Sequence, residues 1–153
     1  MDENVPEGVH SWLVFFKAMH VISKLIQADL QGTELGESDF RVLEVLLHKG
    51  AQPVNALGPK VNLTPGSISV AVDRLHGRGL VSRVENAGDR RVRIVDLTPA
   101  GREMIEPIFR RRAAILEQVF EVLTPEERIQ LEQMLKKIGR NAETLGGGGS
   151  VTQ

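Results

Sequence analysis

Apolar residues recur at three- and four-residue intervals along most of this chain, and the helical period is broken at only a few places. Residues 10–30 set Trp12, Phe15, Phe16, Met19, Ile22, Ile26 and Leu30 on one side of a predicted amphipathic helix. The glycines of "DLQGTELGES" end it. A second helix is expected from Ser38, read as its N-cap, with Phe40, Leu43 and Leu47 on one face, and Gly50 stops it. Pro53 suits the first turn of a short third helix carrying Val54, Leu57 and Val61.

Thr64 before Pro65 is a helix-start pair, because the hydroxyl caps free N–H groups and proline gives up only an unpaired one. Ile68, Ala71, Val72 and Leu75 then share a face until Gly77 and Gly79 interrupt. Two β-prone runs, Leu80–Glu85 and Arg91–Leu97, flank an Asn-Ala-Gly-Asp turn and predict a hairpin. Thr98–Pro99 starts a long helix, with Pro107 expected to kink it. Thr124 and Glu127 form a capping box for a last helix, predicted to run to Gly139. Residues 146–153, GGGGSVTQ, have flexible-linker composition and are read as a tail outside the fold, of the kind an expression vector leaves. The predicted fold class is therefore mainly α with a small β-hairpin (α+β), and the order of its middle elements is that of a winged helix-turn-helix.

Charge sharpens this picture. The chain of 153 residues has a formal net charge of −1, yet residues 64–102 hold seven arginines against four acids, while residues 1–50 are acidic. The one basic region is the capped helix plus the hairpin. Opposite its apolar side, that helix carries Ser67, Ser69, Val70 and Asp73, with Arg74 on the flank. Small residues permit close approach to a major groove, hydroxyls meet phosphates or base edges, and an apolar group meets a thymine methyl. Arg90, Arg91 and Arg93 at the hairpin's returning edge suit a minor groove or flanking phosphates. Candidate DNA-binding residues are thus Thr64, Ser67, Ser69, Val70, Arg74, Arg83, Arg90, Arg91 and Arg93. Asp89 is expected to be held by a nearby arginine, Arg74 or Arg91.

Other chemistries find little support. Cysteine is absent, which excludes disulfides, thiolate metal sites and thiol redox sensing. His10, His20, His48 and His76 lack metal-ligand spacing, and no nucleophile-elbow, P-loop or dinucleotide motif occurs. No catalytic residue, metal or cofactor is assigned. The acidic N-terminus does not resemble a secretory signal, and the longest uninterrupted apolar run is five residues, Trp12–Phe16. A cytoplasmic location without membrane association is expected.

Residues 63–104, LTPGSISVAVDRLHGRGLVSRVENAGDRRVRIVDLTPAGREM, resemble the signature region of the MarR family of transcriptional regulators. The similarity lies in the D-R-L-x-x-R-G-L helix end (Asp73–Leu80), the D-R-R wing (Asp89–Arg91) and the L-T-x-x-G return (Leu97–Gly101), and the flanking helices extend it over residues 10–140. The resemblance implies a ligand-controlled homodimer with intertwined terminal helices and two winged domains on a palindromic site, usually a repressor. It implies a helical dimerisation region at 10–36 and 99–142 and a DNA-binding domain at 37–98. Broad apolar faces on the terminal helices favour the same homodimer. Pro59, inside the third helix, departs from the family pattern. Trp12, Phe15, Phe16, Met19, His20 and Phe40 are candidate ligand-binding residues for a small aromatic effector, or else helix core. The competing functional class is a winged-helix module for protein contacts without specific DNA binding; it would not need arginines on the wing.

Overall fold

A computed structural model describes residues 6–147. The elements run α1 (Glu7–Gln27, continuing into a 3-10 turn at Ala28–Leu30), α2 (Glu37–Lys49), β1 (Gln52–Pro53), α3 (Val54–Lys60), α4 (Pro65–Gly77), β2 (Val81–Glu85), β3 (Arg93–Leu97), α5 (Pro99–Phe120) and α6 (Pro125–Gly147). The chain divides after Ile115, within α5, into two compact units.

The core of the first unit forms where the period-3.6 stripes converge. Phe40, Leu43 and Leu46 of α2, Leu57 of α3, and Ile68, Val72 and Leu75 of α4 are buried together with Val81, Val95, Ile105 and Ile108. Leu30 and Leu35 join them, so the winged unit takes core residues from both flanks of 37–98.

The hairpin forms as predicted, with β2 and β3 antiparallel and in register from Val81↔Leu97 to Glu85↔Arg93. A third strand was not predicted: β1 pairs with β3 through Gln52↔Val95 and Pro53↔Ile94, giving the order β1-β3-β2. Two residues are too short to show a period, and Pro53 is tolerated because β1 is an edge strand.

Helix ends follow the local chemistry, with three corrections. The α2 N-cap is Gly36 rather than Ser38, because the Asp39 carboxylate accepts the Gly36 N–H (3.3 Å). Pro53 precedes α3 as its cap instead of starting it. The last helix passes through Gly139 to Gly147; one helical glycine costs about 1 kcal/mol, and its neighbours Lys136, Lys137, Arg140 and Ala142 favour helix. Of the predicted tail, residues 148–153 lie outside the described residues.

Pro59 is accommodated by an early, tight helix end, where Gly58 C=O accepts from Val61 N–H (3.2 Å) and Leu63 N–H (2.9 Å). The capping box of α6 is reciprocal: Glu127 N–H donates to Thr124 Oγ1 (3.2 Å) and Thr124 N–H donates to Glu127 Oε2 (2.8 Å).

Large apolar faces remain uncovered among the described residues. On α1, Trp12, Phe16 and Met19 are each more than half exposed, as are Ile129, Met134 and Ile138 on α6. By length and composition Glu7–Leu30 would be able to cross a bilayer (mean hydropathy 1.2), which counting uninterrupted apolar runs does not reveal. His10, Lys17 and Lys24 nevertheless recur every seven residues, which lines them up as a polar stripe along α1.

Candidate nucleic-acid interface

Thr64 sets the start of α4, its Oγ1 accepting the Ser67 N–H (3.2 Å), with Pro65 in the first helical position. Ile68, Ala71, Val72 and Leu75 pin one side of the helix in the core, which turns Ser67, Ser69, Val70 and Asp73 to solvent. Val70, next to Ser69 and one turn from Ser67, is 60% exposed. The hydroxyls are already engaged locally. Thr64 O–H donates to Ser67 Oγ (2.9 Å), and Ser69 O–H donates to Pro65 C=O (3.0 Å).

Two of the arginines expected at DNA make ion pairs within the protein. Arg74 donates from Nε and Nη2 to the Asp39 carboxylate (3.0 and 2.6 Å), which raises the already high Arg74 pKa, mainly through that hydrogen bond. Arg83 of β2 pairs with Asp73 of α4, which ties the wing to the helix and neutralises the acid on its outward face.

At the wing tip, Asn86 Oδ1 accepts the Gly88 N–H (2.8 Å) and Asn86 N–H donates to Val92 C=O (2.9 Å). Asp89 is braced by backbone rather than by a guanidinium: its Oδ1 accepts the Arg91 N–H (2.9 Å), and Arg74 is elsewhere. Arg90, Arg91 and Arg93 are exposed and have no ion-pair partner among the described residues. An open cleft of about 550 Å³ separates the wing from α3 and α4, bordered by Pro59, Ser69, Val72, Arg83, Arg91 and Arg93.

The root of the wing explains the L-T-x-x-G motif. Thr98 O–H donates to Gly79 C=O (2.6 Å), Thr98 N–H donates to Leu80 C=O (3.1 Å), and Thr98 Oγ1 accepts the Gly101 N–H (3.0 Å). A Cβ on Gly101 would lie 1.9 Å from the Leu80 carbonyl oxygen, so only glycine permits this approach.

Behind the interface lies a network that sequence spacing does not reveal. Arg112 of α5 is 5% exposed and donates to Asp29 (2.9 and 3.2 Å), Glu37 (3.0 and 3.2 Å) and Ile26 C=O (2.9 Å). Its guanidinium carbon lies 3.7 Å from the Phe40 ring centroid. Burial pulls the Arg112 pKa down, but the hydrogen bonds and charges of Asp29 and Glu37 outweigh it, and the net direction is up. Burial pushes the nearby Glu44 carboxyl above its ordinary value, against the pull of His48 and Arg112.

Of the candidate ligand residues, Phe40 is core: it is 1% exposed and lies beneath Arg112. Trp12, Phe15, Phe16, Met19 and His20 stay together on the open side of α1, with Trp12–Phe16 ring centroids 5.9 Å apart and Phe16 stacked on His20 at 6.2 Å. The DNA candidates thus separate into an exposed set, Thr64, Ser67, Ser69 and Val70 with Arg90, Arg91 and Arg93, and a bracing pair, Arg74 and Arg83.

Comparison with known proteins identifies the family. Residues 35–92 match the model of the MarR family. The transcriptional regulator MhqR of Bacillus subtilis is 34% identical over 132 residues, covering 86% of this chain and 91% of that one. Among solved structures, a MarR mutant from E. coli complexed with operator DNA superposes with a TM-score of 0.76 at 22% identity, covering 86% of this chain and 95% of that one. BpsR of Bordetella bronchiseptica, whose DNA binding is regulated by 6-hydroxynicotinic acid, superposes with a TM-score of 0.74 at 24% identity, covering 85% and 98%.

Proposed function

The chain belongs to the MarR family of transcriptional regulators, and from that premise we propose that it is a sequence-specific DNA-binding repressor working as a homodimer in the cytoplasm. The observation that carries the reading is the pairing of an exposed, small-residue α4 face with three exposed wing arginines, unpaired among the described residues, in an otherwise slightly acidic protein. Helix α4 enters the major groove while Arg90 and Arg91 reach the minor groove or its flanking phosphates. Arg74 and Arg83 hold those two elements in place.

The homodimer accounts for the uncovered apolar faces of α1 and α6. A polar stripe of His10, Lys17 and Lys24 along α1 suits a helix packed on a second copy of this chain better than one surrounded by lipid. A two-fold dimer requires a palindromic operator with half-sites about one helical turn apart. The aromatic cluster of α1, Trp12, Phe16, Met19 and His20, is assigned to a small aromatic effector held at the edge of the dimer contact, where it releases the operator; the role is binding rather than catalysis.

Selection from a random DNA pool tests the reading and supplies the operator. On the selected duplex, replacing Arg90 and Arg91 by alanine is expected to flatten the dependence of log affinity on log salt by about 2. An unchanged slope and affinity would defeat DNA binding through the wing.

A further inference from the structure

The hydrogen bonds of the two exposed serines give the α4 surface a polarity. A carbonyl oxygen has no proton to give, so the Ser69–Pro65 contact at 3.0 Å can only be Ser69 O–H donating to Pro65 C=O. With its one proton turned back onto the helix, Ser69 shows only lone pairs to a ligand. Ser67 is the opposite case. Its partner is the Thr64 hydroxyl (2.9 Å), which can itself supply the proton of that bond and so lets Ser67 turn its own proton outward to donate.

We infer that Ser69 is a specificity-determining residue that reads an exocyclic amino group in the major groove, while Ser67 docks on an acceptor such as a phosphate oxygen. The inference rests on the DNA-binding reading and refines it. Phosphate oxygens at neutral pH are acceptors, so an acceptor-only hydroxyl gains nothing beside them. Among major-groove base edges only adenine N6 and cytosine N4 donate. Ser69 also sits next to Val70, 60% exposed and suited to a thymine methyl, so this part of the helix is built for base edges. Phosphate binding falls to the wing, where Arg90, Arg91 and Arg93 carry free positive charge.

The test uses the full-length protein and the duplex enriched from a random pool. In each copy of that duplex one adenine is replaced by purine, lacking the N6 amino group, or one cytosine by 2-pyrimidinone, lacking N4. Each duplex is titrated with the unmodified protein and with Ser69→Ala. One replacement per half-site is expected to weaken the unmodified protein about fivefold, and that penalty should vanish in Ser69→Ala. Whether the sensitive position is adenine or cytosine identifies the base. Ser67→Ala should weaken all duplexes alike and flatten the salt dependence by less than a charged contact would. If Ser69→Ala keeps every analogue penalty while its circular dichroism is unchanged, the inference fails and the DNA-binding reading stands. If no sequence is enriched at all, both fail.

Discussion

Arg74 of α4 closes on Asp39 of α2 with its Nη2 2.6 Å from Oδ1, and Asp39 is only 2% exposed. The same carboxylate accepts the Gly36 N–H, so one buried acid caps α2 and anchors the helix assigned to the major groove. Arg74→Ala leaves that acid without its charged partner. Because Arg74 is itself 45% exposed, the loss is moderated by water, and about 1–2 kcal/mol of unfolding stability is expected to go, measured by denaturant titration. DNA affinity should fall as α4 loosens, with the salt dependence unchanged. A flattening by about 1 would instead identify Arg74 as a phosphate contact.

Gly101 stands against Leu80 at the root of the wing with no space for a side chain, a Cβ there falling 1.9 Å from the carbonyl oxygen. Since the obstacle is backbone, either α5 or the β2 entry must move. Gly101→Ala should cost about 3 kcal/mol of stability and break the Thr98 bonds to Gly79 and Leu80. Hydrogen exchange at the Thr98 amide, with a denaturation curve, checks both effects. Protection equal to that of the unmodified protein would show that the close approach is not required.

Local chemistry made most of the fold legible. The Thr-Pro starts at Thr64, Thr98 and Thr124, the buried faces of α2 and α4, and the hairpin all depend on residues within a few positions of one another. Contacts made over long stretches of chain were not legible. Asp39 and Arg74 are 35 positions apart, and Asp29 and Arg112 are 83 apart, so no spacing links them. That is why the sequence shows no partner for Arg74 and leaves Phe40 open between pocket and core. Arg74 lies on the outward flank of α4 and Phe40 on the apolar face of α2, and the partner of each is supplied only by the fold. Strand β1 escaped for another reason: two residues carry no period, and its pairing with Val95 and Ile94 is set by the turn after α2.

Glu44 gives the winged unit an opposite response to acid from that of most carboxylates. Burial raises its pKa in the folded chain, so between its ordinary value and the raised one the folded state binds more protons than the unfolded state. Stability from this group is therefore greatest below that window and declines as pH rises through it. Glu44→Gln should remove that decline, leaving a variant more stable than the unmodified protein near neutral pH but not at the acid end. Urea titrations across pH 4–7, read as the difference between the two proteins, isolate Glu44 from the other acids. A difference independent of pH would count against it.

Ile138 lies on α6 with 65% of its surface exposed, and together with Ile129 and Met134 it belongs to a face left uncovered within the chain. If a second copy covers that face, a carboxylate placed there must be buried without a partner on assembly, a cost of about 3 kcal/mol or more. Ile138→Glu should then raise the dimer dissociation constant by on the order of a hundredfold. Within a single chain the same change only makes an exposed position polar, so helix content should be preserved under conditions where the variant is monomeric. Sedimentation equilibrium over a range of concentrations, paired with far-ultraviolet circular dichroism, separates the two effects. A dissociation constant unchanged in Ile138→Glu would place the dimer contact elsewhere and leave this face of α6 to solvent.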